Sequence, residues 1–305
     1  MKRRDFIVKT AATSTLTSLT GIGGSFLDDS KITKITVLHT NDVHSHIDPF
    51  SFDHPKNPNS GGAAKRASVI NKIRKEEDNV LLLDAGDIFQ GTPYFNYYGG
   101  ELEFKLMSMM GYDVATIGNH DFDNGIDGLY AQLPHAKFEF VSANYDFTNT
   151  LLNDSVKPYT IKIKNNIKIG IFGLGVELEG LVDPQLSKET YYKDPVETAQ
   201  EITKTLKEVE KCDLVICLSH LGFKYRNDPE KICDVLLAQK TKDIDLIIGG
   251  HTHTFLDKPL VFNNLEDKPV LVNQVGCYGI NLGRIDFYFS KDKKYYNTTK
   301  KIEIL

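Results

Sequence analysis

Five short polar clusters punctuate this chain: Asp42-Val43-His44, Gly86-Asp87, Gly118-Asn119-His120-Asp121, Ser219-His220 and Gly250-His251-Thr252-His253. They supply hard and borderline donors in sufficient number to hold two metal ions. In Asp-x-His and His-x-His an extended backbone turns residues i and i+2 to the same side, so two donors reach one cavity. Imidazole with carboxylate and amide oxygen suits a borderline divalent ion such as Zn, Mn, Fe or Co, whereas a soft site would use thiolates. None of the four cysteines lies in a cluster. A carboxylate between two ions can bridge them, and Asp87 is the candidate.

Elements that could position these donors precede each of them. Ile35 to Leu38, Val80 to Leu83, Val114 to Ile117, Leu214 to Leu218 and Leu246 to Ile248 are short runs rich in Val, Ile and Leu. Such runs read as buried strands, which puts every donor at the carboxyl end of a strand, where open α/β sheets place their sites. Helices are expected over 62–76 and 101–110, giving βαβαβ order at the start. Asp194-Pro195 and Asp228-Pro229 each read as an N-cap followed by a first-turn proline. After the first pair, Val196, Ala199, Ile202, Leu206 and Val209 recur at spacings of three and four, one face of a helix packed on a sheet. Further strands are expected near 140–144, 158–163, 167–173, 270–275 and 283–289. Without an internal repeat or a low-complexity linker, residues 31–305 read as one domain.

The ordered motifs Asp-x-His, Gly-Asp, Gly-Asn-His-Asp, His and Gly-His-x-His resemble those of the calcineurin-like metallophosphoesterases. LHTNDVHS (38–45), LLLDAGDIFQGTP (81–93), GNHDFDNG (118–125) and GGHTHTFL (249–256) are similar, more narrowly, to the 5′-nucleotidase and UDP-sugar hydrolase branch. The resemblance spans residues 32 to 290 and implies a four-layer αββα sandwich, two mixed sheets with outer helices. It also implies that Asp42, His44, Asp87 and His253 hold one divalent ion and Asp87, Asn119, His220 and His251 the other. Asn119 and His120 would then bind the phosphoryl oxygens, with His120 and Asp123 as the catalytic dyad. At the position of His253 several resembling nucleotidases carry Gln or Asn, so the metal and substrate preferences of those enzymes do not carry over to this chain's first site. His39, His46, His54 and His135 are expected to bind no metal.

The chemistry implied is hydrolysis of phosphate monoesters, nucleotides foremost, by attack of a metal-bound hydroxide. A phosphodiesterase or UDP-sugar pyrophosphatase, a related sulfur-ester hydrolase and a non-catalytic binding subunit are the competing readings. Members of the branch continue beyond the stretch matching Ile285-Asp286-Phe287 into a second domain that grips the nucleoside. A separately encoded nucleoside-binding domain is therefore an expected partner, with the loops Phe50 to Ser60 and Glu177 to Tyr192 as alternative sources of specificity.

Residues 1–30 carry a different signal. Lys2-Arg3-Arg4-Asp5-Phe6-Ile7-Val8-Lys9, followed by a mildly apolar stretch to Leu27, resembles a twin-arginine export signal. The stretch is too rich in Thr, Ser and Gly to read as a membrane span, and the export signal leads to an expected periplasmic location. Among 305 residues 41% are hydrophobic and 25% charged, with a net charge of −5. Such a chain builds a large core without disulfide staples and offers no basic footprint for nucleic acid.

Overall fold

Thr36 to Thr40 pair in parallel with Val80 to Asp84, and both runs are almost wholly buried. These belong to β1 (Thr33–Thr40) and β2 (Val80–Asp84) of a computed structural model that describes residues 32–290, 293–298 and 300–305. The expected export signal lies outside the described residues. The first half continues with α1 (Ala63–Glu76), α2 (Pro93–Tyr98), α3 (Glu101–Met110), β3 (Val114–Ala115), α4 (Gly125–Gln132), β4 (Glu139–Val141), β5 (Tyr145–Asp146) and β6 (Val156–Lys157). The second half contains β7 (Tyr159–Lys164), β8 (Ile167–Gly175), α5 (Pro184–Ser187), β9 (Tyr191–Tyr192), α6 (Pro195–Lys204), β10 (Leu214–His220), α7 (Asp234–Lys240) and β11 (Leu246–Gly249). The chain closes through β12 (Leu260–Asn263), β13 (Pro269–Asn273), β14 (Asn281–Ser290), β15 (Lys293–Thr298) and β16 (Ile302–Glu303).

Two sheets result. One has the order β15-β14-β1-β2-β3-β4-β6, with β16 on β14, and the other the order β12-β13-β11-β10-β8-β7. Both mix parallel and antiparallel pairs: β14 is antiparallel to β1, and β12 to β13. Strand alternation explains the layering. Leu81 and Leu83 pack with Ile216, Leu218 and Ile248 of the other sheet in a shared inner core. Leu82, facing the other way, joins Ile70, Phe104 and Met107 of the helices outside the first sheet. Ala199, Leu206, Leu237 and Ala238 cover the outer face of the second sheet beside Val215, Cys217 and Ile247. Each fully buried Leu or Ile contributes about 1.5–3 kcal/mol of transfer free energy, and three such layers carry most of the fold. This is the four-layer αββα sandwich that the motifs implied.

Two helix expectations need correction. Asp228-Pro229 caps no helix: the Asp228 carbonyl and side chain both accept from Lys231 N, which closes a turn, and the helix begins only at Asp234. A cap and a proline set up a first turn but need a following apolar face to continue it. Asp194, by contrast, accepts from Val196 N and Glu197 N at the start of α6. Beyond α6 the chain widens into a π-turn over Thr205–Val209, which breaks the 3.6-residue period and leaves Val209 72% exposed instead of packed. The apolar run of 140–144 is also interrupted, since pairing stops at Val141 and resumes at Tyr145 in a separate two-stranded sheet with β9. All four cysteines are buried and unpaired. Among the described residues no helix is long and apolar enough to cross a membrane.

Candidate metal centre

Because β1, β2 and β3 run parallel, as do β10 and β11, their carboxyl ends open on one edge of the sandwich. Asp42 and His44 follow β1, Asp87 follows β2, Asn119 and His120 follow β3, His220 ends β10, and His251 and His253 follow β11. The inner core presses the two sheets together, so donors from both meet there. Asp42, His44 and His253 form one group whose donor atoms all lie within 4.8 Å of one another, and Asp87, His220 and His251 form a second. Asp87 Oδ2 stands between them, 3.0 Å from His220 Nε2 and 3.7 Å from His44 Nε2. Asn119 Oδ1 joins the second group, 2.8 Å from His251 Nδ1.

The turns that deliver these donors are unusual. Asp42, His44, Asp87, His251 and His253 all have positive φ, between 49° and 70°, a left-handed backbone that side chains other than Gly seldom adopt. Each turn is tied down. Asp42 N donates to the Gly86 carbonyl, His44 N to the Asp87 carbonyl and His251 N to Asp42 Oδ1. Gly118 must be a glycine, since a Cβ there would come within 2.2 Å of Asp87 Oδ1. Asp121 gathers the second and third turns by accepting from Asp87 N, Ile88 N, Phe89 N and Gly118 N at 2.8–3.1 Å. Burial and the neighbouring Asp87 push its carboxyl up to about 7, against the four N–H donors that favour the anion. Sequence reasoning gave Asp121 no role. Its place directly after His120 in the third cluster is the signal that could have found it. Asp84 is a second such residue, taking Thr40 Oγ1 and Gly86 N on its two oxygens.

Protonation chemistry shows that the donors suit divalent ions. His220 Nδ1 donates to the Ala85 carbonyl at 2.7 Å and His44 Nδ1 to the Phe89 carbonyl at 3.2 Å. In the neutral rings both Nε2 atoms are therefore bare lone pairs aimed at carboxylates and at each other's neighbours. His220 Nε2 is fully enclosed and lacks hydrogen-bond geometry to any partner, and His44 Nε2 lies 3.0 Å from His253 Nε2. Such an arrangement is repulsive unless positive charge sits within it. Burial favours the neutral rings, yet the carboxylates of Asp87 and Asp42 override it at His220, and Asp42 together with Cys277 does so at His253, raising each to about 10. The centre draws cations, and divalent ions satisfy the lone pairs and the carboxylates together.

His120 differs from the donors. Its ring is half-exposed, its Nδ1 lies 2.8 Å from Asp123 Oδ2, and its backbone N donates to Asp87 Oδ1. The hydrogen bond to Asp123 outweighs burial and raises its pKa. The four histidines expected to bind no metal belong to neither group. His39 is fully buried and held neutral by burial, its pKa pushed down to about 3, with Nε2 on Asn273 Nδ2.

A four-layer αββα sandwich with two adjoining carboxylate and imidazole groups at its strand ends defines the metallophosphoesterase class. Residues 35–255 match the calcineurin-like phosphoesterase family, and the chain belongs to it. It is 37% identical over 289 residues to the trifunctional nucleotide phosphoesterase protein YfkN of Bacillus subtilis, a match covering 84% of this chain and 18% of that protein. It is 34% identical to a 5′-nucleotidase of Rattus norvegicus, over 85% of this chain and 47% of the relative. Among solved structures, a 5′-nucleotidase precursor from Thermus thermophilus superposes with a TM-score of 0.80 at 30% identity, over 89% of this chain and 55% of that one. The chain thus spans about half the length, or less, of the curated relatives it matches.

Proposed function

We propose that the protein hydrolyses phosphate monoesters, nucleotides foremost, with two divalent ions of the Zn, Mn, Fe or Co kind shared through Asp87. The observation that carries this reading is the meeting of two donor groups across Asp87 with the half-exposed His120–Asp123 pair beside them. Asp42, His44, Asp87 and His253 would hold one ion and Asp87, Asn119, His220 and His251 the other. Bound there, two divalent ions lower the pKa of water and neutralise phosphoryl charge. The chain's own residues do the rest. Asn119 and His120 face the phosphoryl oxygens. Asp123 holds Nδ1 of His120 and favours the imidazolium, so that Nε2 can donate to a phosphoryl oxygen and then pass its proton to the leaving alkoxide. Nucleotides are favoured as substrates because the relatives carry that word in their names. The name of one relative, a trifunctional nucleotide phosphoesterase, supports a second reading in which the same centre acts on more than one kind of nucleotide phosphate ester. Nucleoside recognition by a separately encoded domain is a further arm of the proposal.

Purified, metal-loaded protein should be assayed against AMP, UDP-glucose, a 2′,3′-cyclic nucleotide and p-nitrophenyl phosphate, with EDTA as control. EDTA-sensitive release of phosphate from AMP is expected. Cleavage of the diesters with AMP left intact would overturn the monoesterase reading.

We also propose export to the periplasm by the twin-arginine route, supported by Arg3-Arg4, Phe6 and Lys9 ahead of a weakly apolar stretch. Replacing Arg3 and Arg4 together with Lys should trap the precursor in the cytoplasm, as seen by fractionation and immunoblot. Undiminished periplasmic protein in the double variant would rule the route out.

A further inference from the structure

A line of aromatic rings leads away from the metal centre. Tyr278 lies with its ring centroid 5.7 Å from that of His253 and 6.1 Å from that of His44. His46 follows at 4.3 Å from Tyr278, Phe50 at 5.2 Å from His46, and His54 at 4.4 Å from Phe50. Successive planes from Tyr278 to His54 tilt by only 35–39°, so the four rings form a staircase, and all four residues are half-buried.

Tyr278 is held there at a cost. Its φ of 61° is left-handed, which for a bulky residue is a genuine outlier, and its N–H donates to the Asp42 carbonyl at 2.7 Å. That bond fixes the Tyr278 ring to the same turn that carries two of the metal donors. The histidine edges add polarity. His46 Nδ1 donates to the His44 carbonyl, which leaves the neutral ring's Nε2 as an acceptor, and His54 Nδ1 accepts from Asn57 N, which leaves Nε2–H as a donor. Aromatic faces with one acceptor and one donor at their edges suit a flat heteroaromatic group better than an aliphatic chain.

We infer that Tyr278, His46 and Phe50 form a leaving-group subsite, on which the base or aryl ring of the phosphate ester stacks while its phosphate lies at the metal centre. The inference rests on the monoesterase reading for the position of the phosphate. His44 supplies the geometry: its ring is 5.3 Å from that of His120, which faces the leaving oxygen, and 6.1 Å from that of Tyr278. His44 thus stands between His120 and the staircase, in ring contact with both His120 and Tyr278. Tyr278 is here a specificity-determining residue, and this catalytic domain itself discriminates between leaving groups.

Two measurements on the whole metal-loaded protein test this. In kinetics, Tyr278→Ala should lower kcat/KM for p-nitrophenyl phosphate relative to glycerol phosphate by about tenfold, the scale of one lost stacking contact, chiefly through KM. Tyr278→Phe should keep the wild-type ratio, and Phe50→Ala, farther along the staircase, should shift it in the same direction by a smaller factor. In binding, saturation-transfer NMR should detect adenosine on the wild type and lose it in Tyr278→Ala, with inorganic phosphate binding as a check on the intact centre. Equal losses for the aryl and glycerol esters, or adenosine binding that survives in both Tyr278→Ala and Phe50→Ala, would overturn the inference. Adenosine binding needs no hydrolysis, so a wild type that bound adenosine on Tyr278 without cleaving AMP would defeat the nucleotidase reading and leave the subsite standing.

Discussion

Replacing His120 with Asn should lower kcat by about 10²–10⁴-fold while both metal ions stay bound, the range expected when a general acid is lost. The reason is positional. His120 takes no place in either donor group; its Nδ1 is occupied by Asp123, and its contact with the centre is made through its backbone N–H to Asp87 Oδ1. An Asn side chain leaves that backbone bond intact, so metal content should not move. Elemental analysis beside steady-state kinetics separates the outcomes. A variant that loses metal would make His120 a structural support, and one that turns over at the wild-type rate would give it no part in the reaction.

Asp87→Ala should do the reverse, removing a ligand from both ions at once. Asp87 Oδ2 lies within 4 Å of an imidazole in each group, whereas His44 belongs to one. Wild-type protein in excess Mn or Zn should hold two ions per chain. Asp87→Ala should fall toward none, with a rate loss of about 10³-fold or more, equivalent to several kcal/mol of lost charge stabilisation. His44→Ala should chiefly weaken one ion. Finding a single ion on the saturated wild type would end the shared-carboxylate scheme.

How much of this was legible in the sequence depended on how local each signal was. The strands were readable because Val80 to Leu83 and Leu214 to Leu218 are short, apolar and rich in Val, Ile and Leu, the mark of strands buried on both faces, and the donors because each follows such a run directly. What a run does not encode is which sheet it joins. The meeting of His220 from β10 with Asp87 after β2 comes from packing of the inner core. Asp228-Pro229 misled for a related reason, since a capping pair is a local preference and the continuation of a helix is a tertiary matter. Asp121 and Tyr278 were overlooked because their work depends on partners distant in the chain or on the left-handed turns, and neither leaves a periodic trace.

Those turns bear on how this protein can change. Each non-glycine residue kept in a left-handed conformation is disfavoured by about 1–3 kcal/mol, and Asp42, His44, Asp87, His251 and His253 share that condition. Summed, the strain rivals the net stability of an ordinary domain. Glycine at any of the five would relax the backbone and erase a donor in the same stroke. Selection for heat resistance in this lineage is thus barred from the positions with most strain to release, and must act through the buried layers and the outer helices instead.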